Sequence, residues 1–232
     1  MKFTKTLIKG KLIKRYKRFF ADIKLDKEII TAHCANTGSM KGLLDAGNEV
    51  FVSKNDNPKR KLKYTLEIIK VNRNLVGVNT HFANKIAYHG LTNNLVKEIS
   101  NSTSVKPEVF FNKETRFDFL VEKNKQKIFV EVKNVTLLRE KKIAEFPDSV
   151  TSRGSKHLKT LIEAIKKGYK SYLLFLVQIQ GVENFKIAKD IDKEYYKNYR
   201  LAKKAGVIFL AYRCKISSKE IKIEKKIKIV ND

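Results

Sequence analysis

The sequence has no tryptophan, only two cysteines, two methionines and three prolines in 232 residues. Cys34 and Cys214 stand far apart with no Cys/His pairs beside them. Neither a four-ligand zinc site nor a disulfide framework is therefore expected. No segment approaches the roughly 18 consecutive apolar residues of a membrane span. The first twenty residues, Met1 to Phe20, are basic but lack the continuous apolar stretch of a signal peptide. A soluble cytoplasmic protein that does not engage a membrane is expected. Acidic side chains are also scarce: 24 Asp and Glu face 50 Lys and Arg, for a net charge of +26. A field of that sign and size attracts polyanions and raises their encounter rate. Lys outnumbers Arg 41 to 9, as a codon bias toward A and T would produce, but such a bias does not remove acids. An anionic membrane is the rival partner, and the basic amphipathic helix with an aromatic face that it calls for is missing. Nucleic acid is the expected partner, DNA with RNA as the other choice, and nothing in the sequence sets an oligomeric state.

What is present supports a packed core. The hydrophobic fraction is 42%, and a chain of this length forms one large domain or two small ones. Residues 1–82 read mostly as short strands: Ala21–His33, Asn48–Ser53, Leu62–Val71 and Leu75–Thr80, punctuated by Thr37-Gly38-Ser39, Ala46-Gly47-Asn48 and Asp56-Asn57-Pro58. Four or five such strands predict a small barrel of the oligonucleotide-binding (OB) type, with fragments of a sandwich as the alternative. From residue 83 to 232 the pattern changes. A helix is expected over Asn84–Ile99, although Gly90 weakens it. Strands are expected over Glu108–Asn112, Arg116–Glu122 and Lys127–Val132. The best helix is Ser155–Gly168, with Leu158, Leu161, Ile162 and Ile165 at i, i+3, i+4 and i+7 and Gly168 at the cap. The unbroken apolar run Ser171–Val177 is expected to be a central strand covered on both faces. A helix over Asp192–Ala205, a strand over Val207–Tyr212 and an alternating strand over Glu220–Val230 close the chain. The order αβββαβ, with a further αβ, is an α/β layered domain following the barrel. No internal repeat and no long low-complexity linker occur.

Two of the three consecutive strands carry charge where a strand should be apolar. In Arg116-Phe117-Asp118-Phe119-Leu120, Phe117 and Phe119 are expected on one face and Asp118 on the other. In Phe129-Val130-Glu131-Val132-Lys133, Glu131 and Lys133 share a face, because side chains repeat every two residues. A short hairpin joins the two strands, so the Asp118 and Glu131 carboxylates can meet across the ladder, where opposed Cβ atoms lie about 5 Å apart. Two carboxylates that close repel unless a cation sits between them, and oxygen ligands favour Mg²⁺ or Mn²⁺. Lys133 beside them can orient water or stabilise charge developing on phosphorus, which is metal-assisted phosphodiester hydrolysis. The plain alternative is a solvated strand face.

Asp…Glu-x-Lys on adjacent strands of an αβββαβ unit resembles the PD-(D/E)XK nuclease superfamily, with Asp118, Glu131 and Lys133 at its motif positions. The whole chain is similar to a narrower group, the sugar fermentation stimulation protein A family. The matching blocks run from end to end. In the first half they are Arg15-Tyr16-Lys17-Arg18-Phe19, Thr31-Ala32-His33-Cys34 with Asn36-Thr37-Gly38-Ser39-Met40, Asn57-Pro58-Lys59-Arg60-Lys61-Leu62 and Val76-Gly77-Val78-Asn79-Thr80. In the second half they are Arg116 to Leu120, Val130 to Leu137, Phe146-Pro147-Asp148, Arg153-Gly154 with Lys156-His157-Leu158, and Ala205-Gly206-Val207. The resemblance implies an OB-like N-terminal domain and a nuclease-like C-terminal domain. It also implies non-specific DNA binding and a link to regulation of sugar use, including maltose metabolism. Catalysis is inferred from the site. Three positions depart from the family pattern: Ala35 stands for a proline, Leu43-Leu44 for a Gly-Cys neighbourhood, and Ile179 for an arginine that could contact phosphate.

Further residues are candidates. Glu98, near the end of the first expected helix, could add a third metal carboxylate, and Glu108 less so; a surface acid is the alternative for both. Arg15, Tyr16, Lys17 and Arg18 interleave cations with rings, suited to phosphates and bases, unless the neighbouring Phe19 and Phe20 start the barrel core. Lys59, Arg60 and Lys61 form a basic turn. Arg153, Lys156, His157 and Lys159 could reach the phosphate or face solvent. His33 to Met40 reads as a turn whose amides bind phosphate or simply fix the barrel. Gln178 is expected to face substrate, and Asp148 and Arg153 to buttress the site.

Overall fold

The computed structural model describes residues 1–230. The first half holds β1 (Ile8–Tyr16), β2 (Phe20–Lys24), β3 (Ile29–His33), β4 (Glu49–Lys54), β5 (Tyr64–Val71) and β6 (Asn74–Gly77). β1 pairs with β2 through its second half and with β4 through its first. β2 pairs with β3 and β4 with β5, and a short parallel pairing of Ala32 and His33 with Tyr64 and Thr65 closes the barrel. That closed five-stranded arrangement is the OB type, with β6 added as an edge strand. Its interior is filled by inward positions such as Leu12, Ala21, Ile23, Ala32, Val50, Val52 and Leu66, all buried. The long apparent strand Ala21–His33 is two strands, because Asp26-Lys27 turns the chain between them. β1 was hidden in the sequence by lysines. Lys9, Lys11 and Lys14 point outward while Gly10 and Leu12 are buried.

The second half begins with α1 (Ala83–Thr92), followed by β7 (Ser104–Phe110), β8 (Arg116–Lys123) and β9 (Gln126–Val135). Next come β10 (Leu137–Glu140), β11 (Ile143–Phe146), α2 (Ser152–Lys166), β12 (Lys170–Val177) and β13 (Asn184–Ile187). The chain ends with α3 (Lys193–Lys204), β14 (Ile208–Ile216), β15 (Ile221–Lys226) and β16 (Lys228–Ile229). A six-stranded sheet runs β15-β14-β12-β9-β8-β7, parallel in its centre and antiparallel at both flanks. β12 is apolar along its length and buried from Ser171 to Val177, as a strand covered on both faces must be. α1 covers one face with Ile86, Ala87 and Leu91. α2 and α3 cover the other with Leu158, Leu161, Tyr195, Tyr199 and Ala202.

α1 stops seven residues short of the expected Ile99. Asn94 adopts a left-handed φ of 58°, which ends the helix, and Lys97–Ile99 forms a separate 3₁₀ turn. α2 begins three residues early because Thr151 caps it, its side chain accepting from the Gly154 amide. A second sheet, β10-β11-β13-β16, was not expected. Its strands have four residues or fewer, too short to show a period. The alternating segment from Glu220 to Val230 is split between the two sheets.

The two halves are stitched by backbone. The Gly77 amide donates to the Gln178 carbonyl and the Gln180 amide to the Leu75 carbonyl, both at 2.9 Å, and Val76 bridges Ile179. Gly77 is required there, since a Cβ would stand 2.6 Å from Gln178 Oε1. Gly38 makes the matching contact on the other side of the seam: a Cβ would stand 2.0 Å from Asp148 Oδ2. At the start of the chain, Lys2 bridges Glu220 and the Phe3 amide bonds the Lys219 carbonyl, so these residues lie against the C-terminal half.

Candidate active site

Register places three acids in one row. Glu108 lies opposite Asp118, between the pairs Pro107–Phe119 and Val109–Phe117. Asp118 lies one step beyond the Phe119–Val130 pair, opposite Glu131. The row also marks where the sheet becomes irregular. Glu108 has a φ of 55° inside β7, and the β8–β9 ladder stops at Phe119. Alternation is lost there too. Phe117 packs with Phe111 and Phe129 on the α2 side, whereas Phe119 faces the α1 side beside Tyr88. The expectation that both rings share a face fails where the sheet is irregular, at the Glu108–Asp118 step.

The Asp118 carboxylate takes over the hydrogen bond that the ladder gives up. Its Oδ2 accepts from the Val132 amide at 2.7 Å, and its Oδ1 accepts from Asn84 Nδ2 on α1 at 2.8 Å. Burial, reinforced by the negative charge of Glu131, pushes its carboxyl up to about 6. Glu131 is 2% exposed. Its Oε1 accepts from Lys133 Nζ at 2.8 Å and is bonded by His157 Nδ1. Burial alone would raise this carboxyl, yet Lys133 and His157 together hold it below the ordinary carboxylate range. Its other oxygen, Oε2, is buried with no hydrogen-bond partner. Arg153 Nε donates to His157 Nε2 at 3.4 Å, which assigns the ring proton to Nδ1, facing Glu131.

Asp118 opens into a cleft of about 670 Å³. Asn84, Glu108, Phe110, Arg116, Arg153, Lys156 and His157 line it with Asp118. Glu131 and Lys133 are not in the cleft lining, and Glu131 is bonded from α2 by His157. Among the described residues no group of three or more His, Cys, Asp and Glu is gathered closely enough to hold a metal ion. Any ion here would rely on Asp118 and Glu131 and complete its shell with water and phosphate oxygens. Hard divalent cations of the Mg²⁺ type bind in that way. The partnerless Glu131 Oε2 fits a cation between the two acids, as does the raised Asp118 carboxyl, which burial and then the Glu131 charge push up.

Asp118, Glu131 and Lys133 thus come together, but several other candidates do not join them. Glu98 is away from the row. Its Oε1 pairs with Lys226 and its Oε2 accepts from Tyr212, both at 2.6 Å. The cause is the early end of α1, which puts Glu98 in the 3₁₀ turn beside β14 and β15. His157 is not a solvent-facing group: it is buried against Glu131, with its remaining surface at the cleft. Gln178 is fully buried, donating to Asn134 Oδ1 at 2.6 Å at the seam. Ile179, where an arginine was expected, is buried at the same seam. Asp148 packs on Gly38 and accepts from the Met40 amide at 3.5 Å, so it buttresses the seam and not the acids.

On the barrel, the Arg15 guanidinium is spent on the carbonyls of Arg18, Asn36 and Gly38. It holds the turn at residues 36–38 in place. The Tyr16 ring stacks on Phe20 and its hydroxyl bonds Asp22, so it is not free to stack on a base. Phe19 is exposed and Phe20 half-buried, so neither anchors the barrel core. Lys17 and Arg18 form an exposed turn with left-handed φ values of 46° and 61°. Lys59 and Lys61 are exposed, while Arg60 is half-buried and leans toward Thr65. Cys34 is buried against Met40, and Cys34 and Cys214 are both free thiols.

Two residues near the row, Asn84 and Tyr195, carry no signal in the sequence, and Glu108 is the weaker of the two extra acids expected there. Asn84 fixes Asp118 from α1. Glu108 pairs with Arg116 at 2.8 Å and reaches Asn84 at 3.4 Å. Tyr195 on α3 is fully buried with a hydroxyl that has no partner, and burial together with the Glu131 charge pushes its phenol far up. Only Glu108 left a signal, an acid in a strand beside the motif.

An OB barrel joined to an αβββαβ domain defines the class. Family models match both parts: the SfsA N-terminal OB domain over residues 13–78 and the sugar fermentation stimulation protein RE domain over residues 81–220. The chain belongs to the sugar fermentation stimulation protein A (SfsA) family. It is 84% identical to the sugar fermentation stimulation protein homolog of Pelagibacter ubique, with 100% of each chain covered. It is 43% identical to that of Maricaulis maris, over 99% of this chain and 98% of the relative. Among solved structures it is similar to SfsA of Pyrococcus furiosus in complex with Ca²⁺. There the TM-score is 0.88 at 24% identity, covering 100% of this chain and 98% of that one. Among the described residues no helix is long and apolar enough to cross a membrane.

Proposed function

We propose that the protein is a divalent-metal-dependent nuclease that hydrolyses phosphodiester bonds in DNA or RNA with little sequence preference. The observation that carries this reading is the meeting of Asp118 and Glu131 at the end of a ladder, with Lys133 on one Glu131 oxygen and the other oxygen partnerless. Asp118 and Glu131 are the residues that would hold Mg²⁺ or Mn²⁺, and the Ca²⁺ of the Pyrococcus furiosus relative supports a divalent site. Bound there, the ion would supply Lewis-acid stabilisation of the phosphate and lower the pKa of water. The chain's own groups do the rest. Asn84 and the Val132 amide fix the Asp118 carboxylate. Lys133 and His157 keep Glu131 ionised although it is buried, and Lys133 stands ready to favour charge developing at the phosphate. Arg153 and Lys156 at the cleft, with Lys17, Arg18, Lys59 and Lys61 on the barrel, supply cations for backbone phosphates.

Plasmid and single-stranded DNA incubated with Mg²⁺ or Mn²⁺ test the reading. Cutting by the native protein is expected, with loss of roughly 10²-fold or more in Asp118→Asn and Lys133→Ala. DNA binding with no cleavage of any substrate at any metal concentration sinks the nuclease reading. That outcome would favour a second one, a non-catalytic DNA-binding regulator of sugar metabolism that retains the nuclease fold. Its supporting observation is the near-complete enclosure of Glu131.

A further inference from the structure

β7 is the outer strand of the six-stranded sheet, and its last residue, Phe110, is 68% exposed. It is not part of the nearby aromatic core, where Phe111, Phe117, Phe129 and Tyr169 pack against one another. Instead Phe110 lines the cleft that Asp118 opens into. The Arg116 guanidinium lies over its ring, 5.6 Å from the centroid, and is held there by its 2.8 Å ion pair with Glu108. A large apolar side chain is thus presented to water within a polar cleft of mixed charge, where Arg116 pairs with Glu108 and Lys156 with Glu114, and Arg116 backs the ring. Covering its ring with an apolar or aromatic partner would stabilise the phenylalanine by about 1.5–3 kcal/mol.

We propose that Phe110 is a stacking platform for an unpaired nucleobase, and that single-stranded nucleic acid is therefore the preferred substrate class. The proposal rests on the nuclease reading above and deepens it. Three features select this occupant. The ring is an exposed aromatic beside cations, the combination that holds single strands through base stacking and phosphate pairing. Phe110 lies two residues along β7 from Glu108, roughly 7 Å from the acid row at ~3.4 Å per residue. One extended nucleotide can therefore put its base on Phe110 and its phosphate at Asp118. In an intact duplex both faces of each base are already stacked, so an internal base cannot reach Phe110 without first leaving the helix. Arg153 and Lys156 of α2 also line the cleft, Lys156 paired with Glu114 at 3.2 Å, and are cations that a strand's backbone can meet there.

The test uses the full chain in EDTA, so that binding is read without cleavage. A short single-stranded oligonucleotide carries 2-aminopurine, and a duplex of the same sequence is run in parallel. Quenching of the fluorophore on binding is expected. Phe110→Ala should weaken single-strand affinity by about 5- to 150-fold, the range that loss of one stacked base produces. Phe110→Tyr should keep the affinity, and duplex affinity should change less than twofold in both variants. Unchanged single-strand affinity in Phe110→Ala, or an equal loss on duplex, overturns the proposal. Failure of the protein to cut any substrate with Mn²⁺ overturns the nuclease reading instead, and the two failures are separate measurements. Because Phe110 is exposed, thermal unfolding of the variants should match the native protein.

Discussion

His157 on α2 bonds Glu131 on β9 through Nδ1, at the same oxygen that Lys133 holds, and Arg153 braces the far side of the ring. The helix packed on the sheet thereby fixes the acid from above while the lysine fixes it within the strand. Removing His157 leaves a buried carboxylate with one partner fewer, at a cost of about 1–3 kcal/mol. His157→Ala is therefore expected to lower the melting temperature by several degrees and to cut metal-dependent cleavage by ~10- to 100-fold. DNA affinity should stay within twofold. Melting curves, cleavage rates and binding isotherms check this, and a large loss of affinity with intact stability would return His157 to the nucleic-acid surface.

Asp118 gives the metal-free protein a particular pH dependence. Its carboxyl is ordinarily near 3.8 and is pushed up to about 6 in the fold. The folded state therefore binds a proton more tightly than the unfolded chain. The stability linked to that proton is fully present below about pH 4 and is lost as pH rises through 6. The loss amounts to roughly 1–3 kcal/mol, discounted because Asp118 is partly open to solvent. Chemical denaturation from pH 4 to 7 in EDTA should show this decline, and Asp118→Asn should flatten it. Buried Glu67, also raised by desolvation, adds to the same trend and leaves a residual slope. Metal binding should run oppositely, weakening as pH falls below about 6, because the ion needs the ionised acid.

Glu98 should be silent in metal binding. Burial would raise its carboxyl, but Lys226 and Tyr212 hold it below the ordinary range. Glu98→Gln is expected to leave Mn²⁺ affinity within twofold while lowering the melting temperature by about 2–4 °C, the effect of losing roughly 1 kcal/mol in a chain of this length. Titration calorimetry with Mn²⁺ distinguishes this from a third-ligand role, for which affinity would fall tenfold or more.

DNA binding should weaken steeply with salt, because each phosphate neutralised releases counterions. The exposed cations Lys17, Arg18, Lys59, Lys61, Arg153 and Lys156 are the ones expected to set the slope. The double change Lys59→Ala with Lys61→Ala should reduce the slope of log K against log salt by about 1–2 on any sequence. Arg15→Ala should act differently, destabilising the barrel turn at residues 36–38 that its guanidinium holds. Equal slopes in native and double-variant protein would remove the Lys59–Lys61 turn from the interface.

The parts of the site legible in the sequence were those set by local periodicity. Glu131 and Lys133 share a face because strands repeat every two residues, and a tight hairpin forces Asp118 opposite Glu131. Contacts made across elements carried no such signal. Nothing local tells that Asn84 of α1 reaches Asp118, that His157 turns inward, or that Tyr195 of α3 lies buried near Glu131. Glu98 was misplaced because an apolar spacing continued past Asn93-Asn94, where a left-handed residue had already ended the helix. β1 was missed for the opposite reason, its outward lysines masking a strand whose alternate positions are buried.

Asp118 and Glu131 are proposed to share one hard divalent ion. Crystals soaked in Mn²⁺ and measured at the manganese absorption edge test it most directly. An anomalous peak within about 2.0–2.3 Å of an oxygen of each acid is predicted, and that peak should vanish in Asp118→Asn. No peak at the row, or one bound elsewhere while the row stays empty at saturating metal, would rule out an ion shared by the two acids.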